Sequence, residues 1–286
     1  MTAKLLMIQG TSSGAGKSTL VIGLCRAFSD LGYSVSPFKS QNMTSNFFPL
    51  SDSTKRMASI QAIQAFASRT EPDIRMNPIL LEPIGDDRSN IFLNGKFIGQ
   101  MTSERYYRSF VLKKGISTVL QSLDELGQKN DLIIIEGAGS PAEINIAEYD
   151  IANMLLAEKI RVPVILTADI ERGGCFASIV GTLKLLKPEH RLLIKGIVIN
   201  KFRGDKNLLK PAIFATEKIT KKEILGVVPR IEFTLPAEDS LDEVKIRPTN
   251  QSPESLNEQV NILASRIKEN LDINRISSEF LQLEQN

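Results

Sequence analysis

The stretch IQGTSSGAGKST, Ile8–Thr19, constrains this chain more than any other. The apolar run KLLMIQ leads straight into it, and STLVIGLCRAFSDLG leaves it at helical spacing. The sequence therefore expects a strand, a glycine-rich turn and a helix closed by Gly32. Gly14 and Gly16 let backbone N–H groups crowd an anion where a Cβ would collide. The helix from Lys17 turns the positive end of its dipole on that anion. Lys17 supplies a cation for the β- and γ-phosphates, and Ser18 a hydroxyl for Mg²⁺. The loop GTSSGAGKS is one residue longer than the phosphate-loop signature G-x-x-x-x-G-K-[ST], because its first glycine is Gly10. Thr11, Ser12, Gly14, Ala15, Gly16, Lys17, Ser18 and Thr19 are the candidate nucleotide contacts.

Apolar runs over 5–9, 33–39, 131–139, 162–170, 194–202 and 223–229 alternate with helical patterns. That alternation implies an α/β fold with a mostly parallel sheet flanked by helices on both faces. The runs PILLEP and NIFLNGKFIG read as short strands, with a turn at Asn94-Gly95. Helices are expected over 53–69 and from about Glu104 to Leu126. Residues 230–255 are polar and proline-bearing, hence a loop, and the last dozen read as frayed. Between them Leu256, Val260, Leu263, Ile267 and Leu271 form a helical stripe that packs on its own domain or meets a partner. A catalytic domain over 1–240 and a linker with a helix over 241–286 follow.

A phosphate loop needs an acid at the end of a neighbouring strand, and LIIIEGAG offers Glu136 there. A carboxylate on so apolar a strand is costly unless it meets a cation. A guanine-reading NKxD would begin at Asn200-Lys201, but Arg203 stands where its Asp belongs. ATP is favoured, with Asn200 and Lys201 beside the base and Asn200 reading an adenine edge. The early loop lysine of partition ATPases falls near Ser12 and is missing.

Among 286 residues, 35 Lys and Arg against 33 Asp and Glu leave a net charge of +2. That balance gives no electrostatic case for nucleic acid or an anionic membrane, and no apolar run reaches the roughly 18 residues of a span. The two cysteines, Cys25 and Cys175, make no disulfide framework, which fits a reduced cytoplasmic protein. His190, the one histidine, reads as an exposed loop residue, and a His/Cys zinc site is excluded.

Seven stretches occur in one order: GTSSGAGKS, PFKSQNM, MNPILLEP, EGAGSPAEIN, DIANM, ADIERGGCFASIVGT and VINKFRGD. Over residues 4–240 the chain resembles the N-terminal, dethiobiotin-synthetase-like ATPase part of the cobyric acid synthase family. The resemblance implies an ATP- and Mg²⁺-dependent amide ligase. It would phosphorylate side-chain carboxylates of adenosylcobyrinic acid a,c-diamide and let ammonia displace the phosphate, giving adenosylcobyric acid. It makes Lys17, Lys39, Glu136 and Asp150 catalytic, with Lys39 on the γ-phosphate or the substrate carboxylate. It places Gln41, Asn42, Ser140, Glu143, Asn145 and Arg172 on the substrate side. Asp150 reads equally as a helix cap before IANM, and Arg172 as an ordinary loop residue.

The family also carries a C-terminal glutaminase domain that has no counterpart here. Ammonia would then arrive free or from a separate glutamine amidotransferase subunit, which the 256–271 stripe could dock. A homodimer is expected by analogy alone. Two charges depart from the family: Arg56 stands where a Glu is usual and Glu82 where a Lys is usual. If the missing Glu holds metal, Asp52 would join Ser18 and Glu136 as a ligand. These departures keep two alternatives open, a related ligase with another carboxylate substrate and a non-catalytic ATP-binding regulator.

Overall fold

In the computed structural model, residues 3–50, 52, 55–232 and 252–283 are described. Six strands form one wholly parallel sheet: β1 (Lys4–Gly10), β2 (Val35–Phe38), β9 (Leu132–Glu136), β10 (Val164–Asp169), β11 (Ile194–Phe202) and β12 (Ile224–Pro229). Their order is β12-β11-β10-β1-β9-β2. β1 lies between β9 and β10, so the chain crosses to opposite sides of it and opens a crevice at the carboxyl ends of the strands. Register sets what meets there: Ile8 pairs with Glu136 and Gly10 with Thr167.

The strands are apolar on both faces. Met7, Ile133, Ile135, Leu166 and Ile199 belong to one core cluster. Leu6, Ile8, Ile134, Ile165 and Val198 belong to the other, beneath α1 (Lys17–Asp30). Gly32 ends that helix at φ +91°, as its position suggested.

The remaining strands make smaller sheets. β3 (Gln41–Met43) pairs parallel with β6 (Ile79–Gly85), which continues antiparallel into β7 (Arg88–Leu93) and β8 (Lys96–Thr102). The β7–β8 turn is Asn94-Gly95, both at positive φ, the left-handed pair that a tight hairpin needs. Lys39 and Ser40 alone connect β2 in the first sheet to β3 in the second. That link is held by Lys39 N donating to Met76 O at 2.8 Å and Asn77 Nδ2 donating to Lys39 O at 3.3 Å.

Several expectations need correction. The helix expected over 53–69 starts only at Ser59: α2 is Ser59–Ala67, and β5 (Arg56–Ala58) pairs with β4 (Phe47–Pro49). Met57, which fitted a helical stripe, is buried from this hairpin instead. The helix expected over 104–126 is α3 (Ser103–Arg105), a π-helical stretch Tyr106–Gly115 and α4 (Ile116–Gly127). After β9 come α5 (Met154–Ile160), α6 (Cys175–Leu185), α7 (Pro188–Leu193) and α8 (Lys210–Thr220). His190 is not an exposed loop residue. It lies on α7, 7% exposed, with Nε2 3.1 Å from Glu158 Oε2.

Most of the loop expected over 230–255 lies outside the described residues. Beyond it, α9 (Pro253–Asn270) and α10 (Ile273–Arg275) are followed by a π-helical turn, Ile276–Leu281. Of the two readings of the helical stripe, packing on its own domain is the one seen, since Val260, Leu263, Ile267 and Leu271 are buried in the α1-side core. Ile273, Ile276 and Leu281 join them, so 273–281 is packed rather than frayed. At Gly23 of α1 a Cβ would sit 2.1 Å from Ile267 Cδ1, so the two helices approach closely only because a glycine is there. Ile267→Ala is predicted to cost about 2–5 kcal/mol, the usual range for truncating a core aliphatic. Urea unfolding measures the loss, with nucleotide affinity at low urea unchanged.

Candidate functional site

Glu136 organises the site. It is fully buried at the end of β9, beside Ile8 by register and hence beside the phosphate loop. Its Oε1 accepts from Ser18 Oγ at 2.9 Å and from Lys39 Nζ at 2.9 Å. Its Oε2 accepts from Gln64 Nε2 on α2. A fully buried carboxylate needs this many donors and a cation to be tolerated.

The loop itself is preformed. Gly14 and Gly16 take φ +69° and +90°, as expected of them. A Cβ on Gly16 would lie 2.1 Å from Asn200 Nδ2. Lys17 Nζ donates to Ser12 O at 3.2 Å and to Gly139 O at 3.1 Å, tying the loop to the turn after β9. From β11, Lys201 Nζ reaches Gly14 O at 2.6 Å and Asp169 Oδ2 at 2.9 Å. Asn200 Nδ2 donates to Ala15 O at 3.1 Å, and its Oδ1 accepts from Lys201 N at 2.9 Å. Both ends of that amide are engaged, so Asn200 buttresses the loop. Even so, Thr19, Asn200 and Lys201 do line one recess of about 230 Å³, with Glu171, Pro229, Arg230 and Ile231. Thr11 stands just behind the loop, its Oγ1 accepting from Ser178 Oγ at 3.3 Å.

On the other side of Lys17 opens a cleft of about 420 Å³. Lys17, Lys39, Gln41, Asn42, Ser140, Glu143, Asp150 and Arg172 all line it, with Tyr107 and Asn153. Motifs spread over more than 150 residues thus converge on one wall-to-wall site. Two expected members are not there. Asn145 is exposed and does not line the cleft. Asp52 is a surface residue whose Oδ2 pairs with Lys55 Nζ at 3.3 Å, and it does not join Ser18 and Glu136.

The two reversed charges explain each other. Arg56 Nη1 lies 3.6 Å from Glu82 Oε1, and its guanidinium stacks over Phe47 at 5.0 Å and Phe92 at 5.3 Å. Glu82 also accepts from Asn90 Nδ2 at 2.8 Å. Arg56 and Glu82 therefore form one ion pair that pins β5 on the second sheet, and neither faces the Ser18–Glu136 pair.

Asp150 caps the turn that follows it and also faces the cleft. Its Oδ1 accepts from Ala152 N at 3.2 Å and Asn153 N at 3.0 Å, a local cap, while the residue lines the cleft. Burial pushes its pKa up to about 6, with Glu143 adding to the rise and the bonds from Asn153 and Ala152 opposing it. Burial also raises the Tyr107 hydroxyl, helped by the charge of Asp150, so Tyr107 stays protonated.

Ser18 and Glu136 suit Mg²⁺. They are hard oxygen donors 2.9 Å apart at a helix N-terminus, and Mg²⁺ needs only one or two protein oxygens when phosphates and waters complete its shell. Among the described residues no group of three His, Cys, Asp or Glu side chains is placed to hold a metal.

Sequence reasoning passed over Gln61, Gln64, Tyr106 and Asn153. Gln61 Nε2 donates to Gln64 Oε1 at 3.0 Å, Tyr106 Oη to Gln41 Oε1 at 2.8 Å and Asn153 Nδ2 to Ala138 O at 2.6 Å. One signal was visible: SIQAIQA carries two amides three residues apart on an otherwise apolar helix, and buried amides need partners.

Residues 6–241 match the CobQ/CobB/MinD/ParA nucleotide binding domain. The probable cobyric acid synthase of Thermococcus kodakarensis is 52% identical over 242 residues, which are 84% of this chain and 49% of that protein. The cobyric acid synthase of Dehalococcoides mccartyi (strain CBDB1) is 49% identical over 246 residues, 85% of this chain and 48% of that one. The chain thus spans about half the length of the curated relatives it matches. Among solved structures, the signal recognition particle receptor FtsY of Elizabethkingia anophelis superposes with a TM-score of 0.48 at 12% identity, covering 80% of this chain and 59% of that one. No helix among the described residues is long and apolar enough to cross a membrane. With a preformed phosphate loop at the carboxyl end of β1 and a family match over residues 6–241, this chain belongs to the CobQ/CobB/MinD/ParA nucleotide binding domain family.

Proposed function

We propose that the chain is the ATP-dependent synthetase part of a cobyric acid synthase, amidating carboxylates of adenosylcobyrinic acid a,c-diamide in cobalamin biosynthesis. The observation that carries this reading is the cleft. It joins the phosphate-loop Lys17 to Lys39, Arg172, Gln41 and Asp150, groups that hold a carboxylate, neutralise a phosphoryl group and accept a proton. The names and identities of the relatives support the substrate class.

Each group then has a task. Lys17 and the loop N–H groups hold the β- and γ-phosphates of ATP. Mg²⁺, held by Ser18 and Glu136, supplies positive charge against the phosphates. Lys39 and Arg172 draw the substrate carboxylate toward the γ-phosphorus. A carboxylate oxygen attacks that phosphorus, the bond to the bridging oxygen breaks, and ADP leaves. The acyl phosphate is an electrophile that the carboxylate was not. Ammonia attacks its carbonyl carbon, Asp150 accepts the proton released, and inorganic phosphate departs as the amide forms. Ammonia enters free or from a glutamine amidotransferase.

The test is ADP release with Mg²⁺ and ammonium, with and without cobyrinic acid a,c-diamide, while the corrinoid is weighed. Stepwise mass loss of about 1 Da per amide, in proportion to ADP, is the expected outcome for a carboxylate-to-amide exchange. ATP turnover indifferent to the corrinoid would favour the regulator, and turnover with a different carboxylic acid the related ligase.

Two variants sharpen it. Lys39→Met is predicted to lower the turnover number by at least about 100-fold while MgATP still binds, since charge neutralisation in the transition state is lost. Asp150→Asn should move activity and stability in opposite directions. Burial raises the Asp150 pKa from 3.8 to about 6, so the fold favours the proton, and its penalty for the carboxylate is complete above about 6. The variant should therefore resist urea better than the parent at neutral pH. It should also lose the rise in turnover that the parent shows as pH passes through about 6.

A further inference from the structure

Three amide side chains run in a line from the metal pair to the cleft. Gln64 Nε2 donates to Glu136 Oε2. Gln61 Nε2 donates to Gln64 Oε1 at 3.0 Å, and Asn42 Nδ2 donates to Gln61 Oε1 at 2.7 Å. Asn42 is 3% exposed, and Gln61, Gln64 and Glu136 are fully buried. The direction of every amide is settled by the last acceptor. A carboxylate paired with Lys39 can only accept, so Gln64 must turn its NH₂ toward it. Its carbonyl then faces Gln61, which must donate, and the same logic passes outward to Asn42. Flipping any one amide would set two donors or two acceptors against each other.

The outer end has a consequence for recognition. Asn42 commits its NH₂ inward and lines the cleft, so what it offers there is Oδ1, an acceptor. Its neighbour has the opposite polarity. Gln41 Oε1 accepts from Tyr106 Oη at 2.8 Å, which leaves its NH₂ toward Tyr107 and the cleft. Gln41 therefore meets acceptors, such as a carboxylate oxygen, and Asn42 meets an N–H donor.

We infer that Asn42, Gln61 and Gln64 form a one-way hydrogen-bond relay that positions Glu136 for Mg²⁺ at its inner end and takes an N–H donor, ammonia or a primary carboxamide, at its outer end. Gln61 and Gln64 are positioning residues, acting through Glu136. The ligand class rests on the proposed amidation, whereas the positioning of Glu136 does not. Donors aligned head to tail toward a charge strengthen one another, so loss at either end weakens the whole.

The test titrates Mg²⁺ into the protein with a fluorescent ATP analogue, which needs no corrinoid. Gln64→Met keeps the side-chain volume and removes the donor. It should raise the Mg²⁺ concentration for half-maximal tightening of nucleotide by about tenfold, the usual cost of losing an outer-shell partner. Nucleotide affinity without metal should stay as in the parent. Asn42→Leu, three hydrogen bonds away from Glu136, should shift the same midpoint in the same direction, and the double variant by less than the product of the two. A merely structural role would change melting temperature and leave the metal midpoint where it was. An unmoved midpoint in either single variant overturns the relay. If Gln64→Met fails to fold, Asn42→Leu decides alone.

Amidation kinetics of Asn42→Leu then identify the donor. A raised KM for ammonium names ammonia, and a raised KM for the corrinoid names its carboxamides. With both unchanged, the acceptor end is wrong. Should the parent chain not amidate the corrinoid at all, the proposed function fails while the Mg²⁺ midpoints still judge the relay.

Discussion

A fully buried carboxylate is the constraint to which the rest of the site answers. Glu136 sits at the end of an otherwise apolar strand, and only the groups gathered around it make that tolerable. Ser18 comes from the phosphate loop, Lys39 from the link between the two sheets and Gln64 from α2. Three separate parts of the chain are thereby fixed on one side chain. The same two oxygens suit Mg²⁺, so the interaction that assembles the fold here also prepares the chemistry.

The parallel sheet converts this local demand into a site. β9 lies beside β1 in a register that sets Glu136 next to Ile8, two residues before the loop begins. β10 and β11 bring Asp169, Asn200 and Lys201 to the loop's other flank, where they fix its backbone from behind. Beyond Lys39 the chain enters a second sheet, so Gln41 and Asn42 face the phosphate loop across a cleft rather than along a strand. The phosphate loop and the Gln41–Asn42 wall of the cleft thus belong to different sheets joined by two residues, one of them the lysine that pairs with Glu136.

What was legible in the sequence was what a single element encodes. The phosphate loop, Glu136 at its strand end and the hairpin turn at Asn94-Gly95 each declare themselves through spacing and residue type. Less legible was anything decided by a partner far along the chain. Arg56 looked like damage to a metal site until Glu82 stood beside it. Asn200 gave no sign in the sequence that it would brace the loop through Ala15. His190 looked solvated until Glu158 covered it. Gln61 and Gln64 looked like ordinary helix residues, because nothing in SIQAIQA says that a carboxylate 72 residues away will fix which way they turn. The stripe on α9 left its destination open for a related reason. Periodicity shows that a face is apolar, and only Gly23 on α1 shows what covers it.

The central claim is that the cleft transfers a phosphoryl group onto a carboxylate before nitrogen arrives. Isotope transfer tests it most directly. The corrinoid acid would carry oxygen-18 in its carboxylates, and the phosphate released with Mg²⁺, ATP and ammonium would be weighed. An acyl-phosphate route predicts that each phosphate carries one labelled oxygen from the substrate for each amide formed. Unlabelled phosphate released alongside amide formation would contradict the account, because the carboxylate would never have been bonded to the γ-phosphorus.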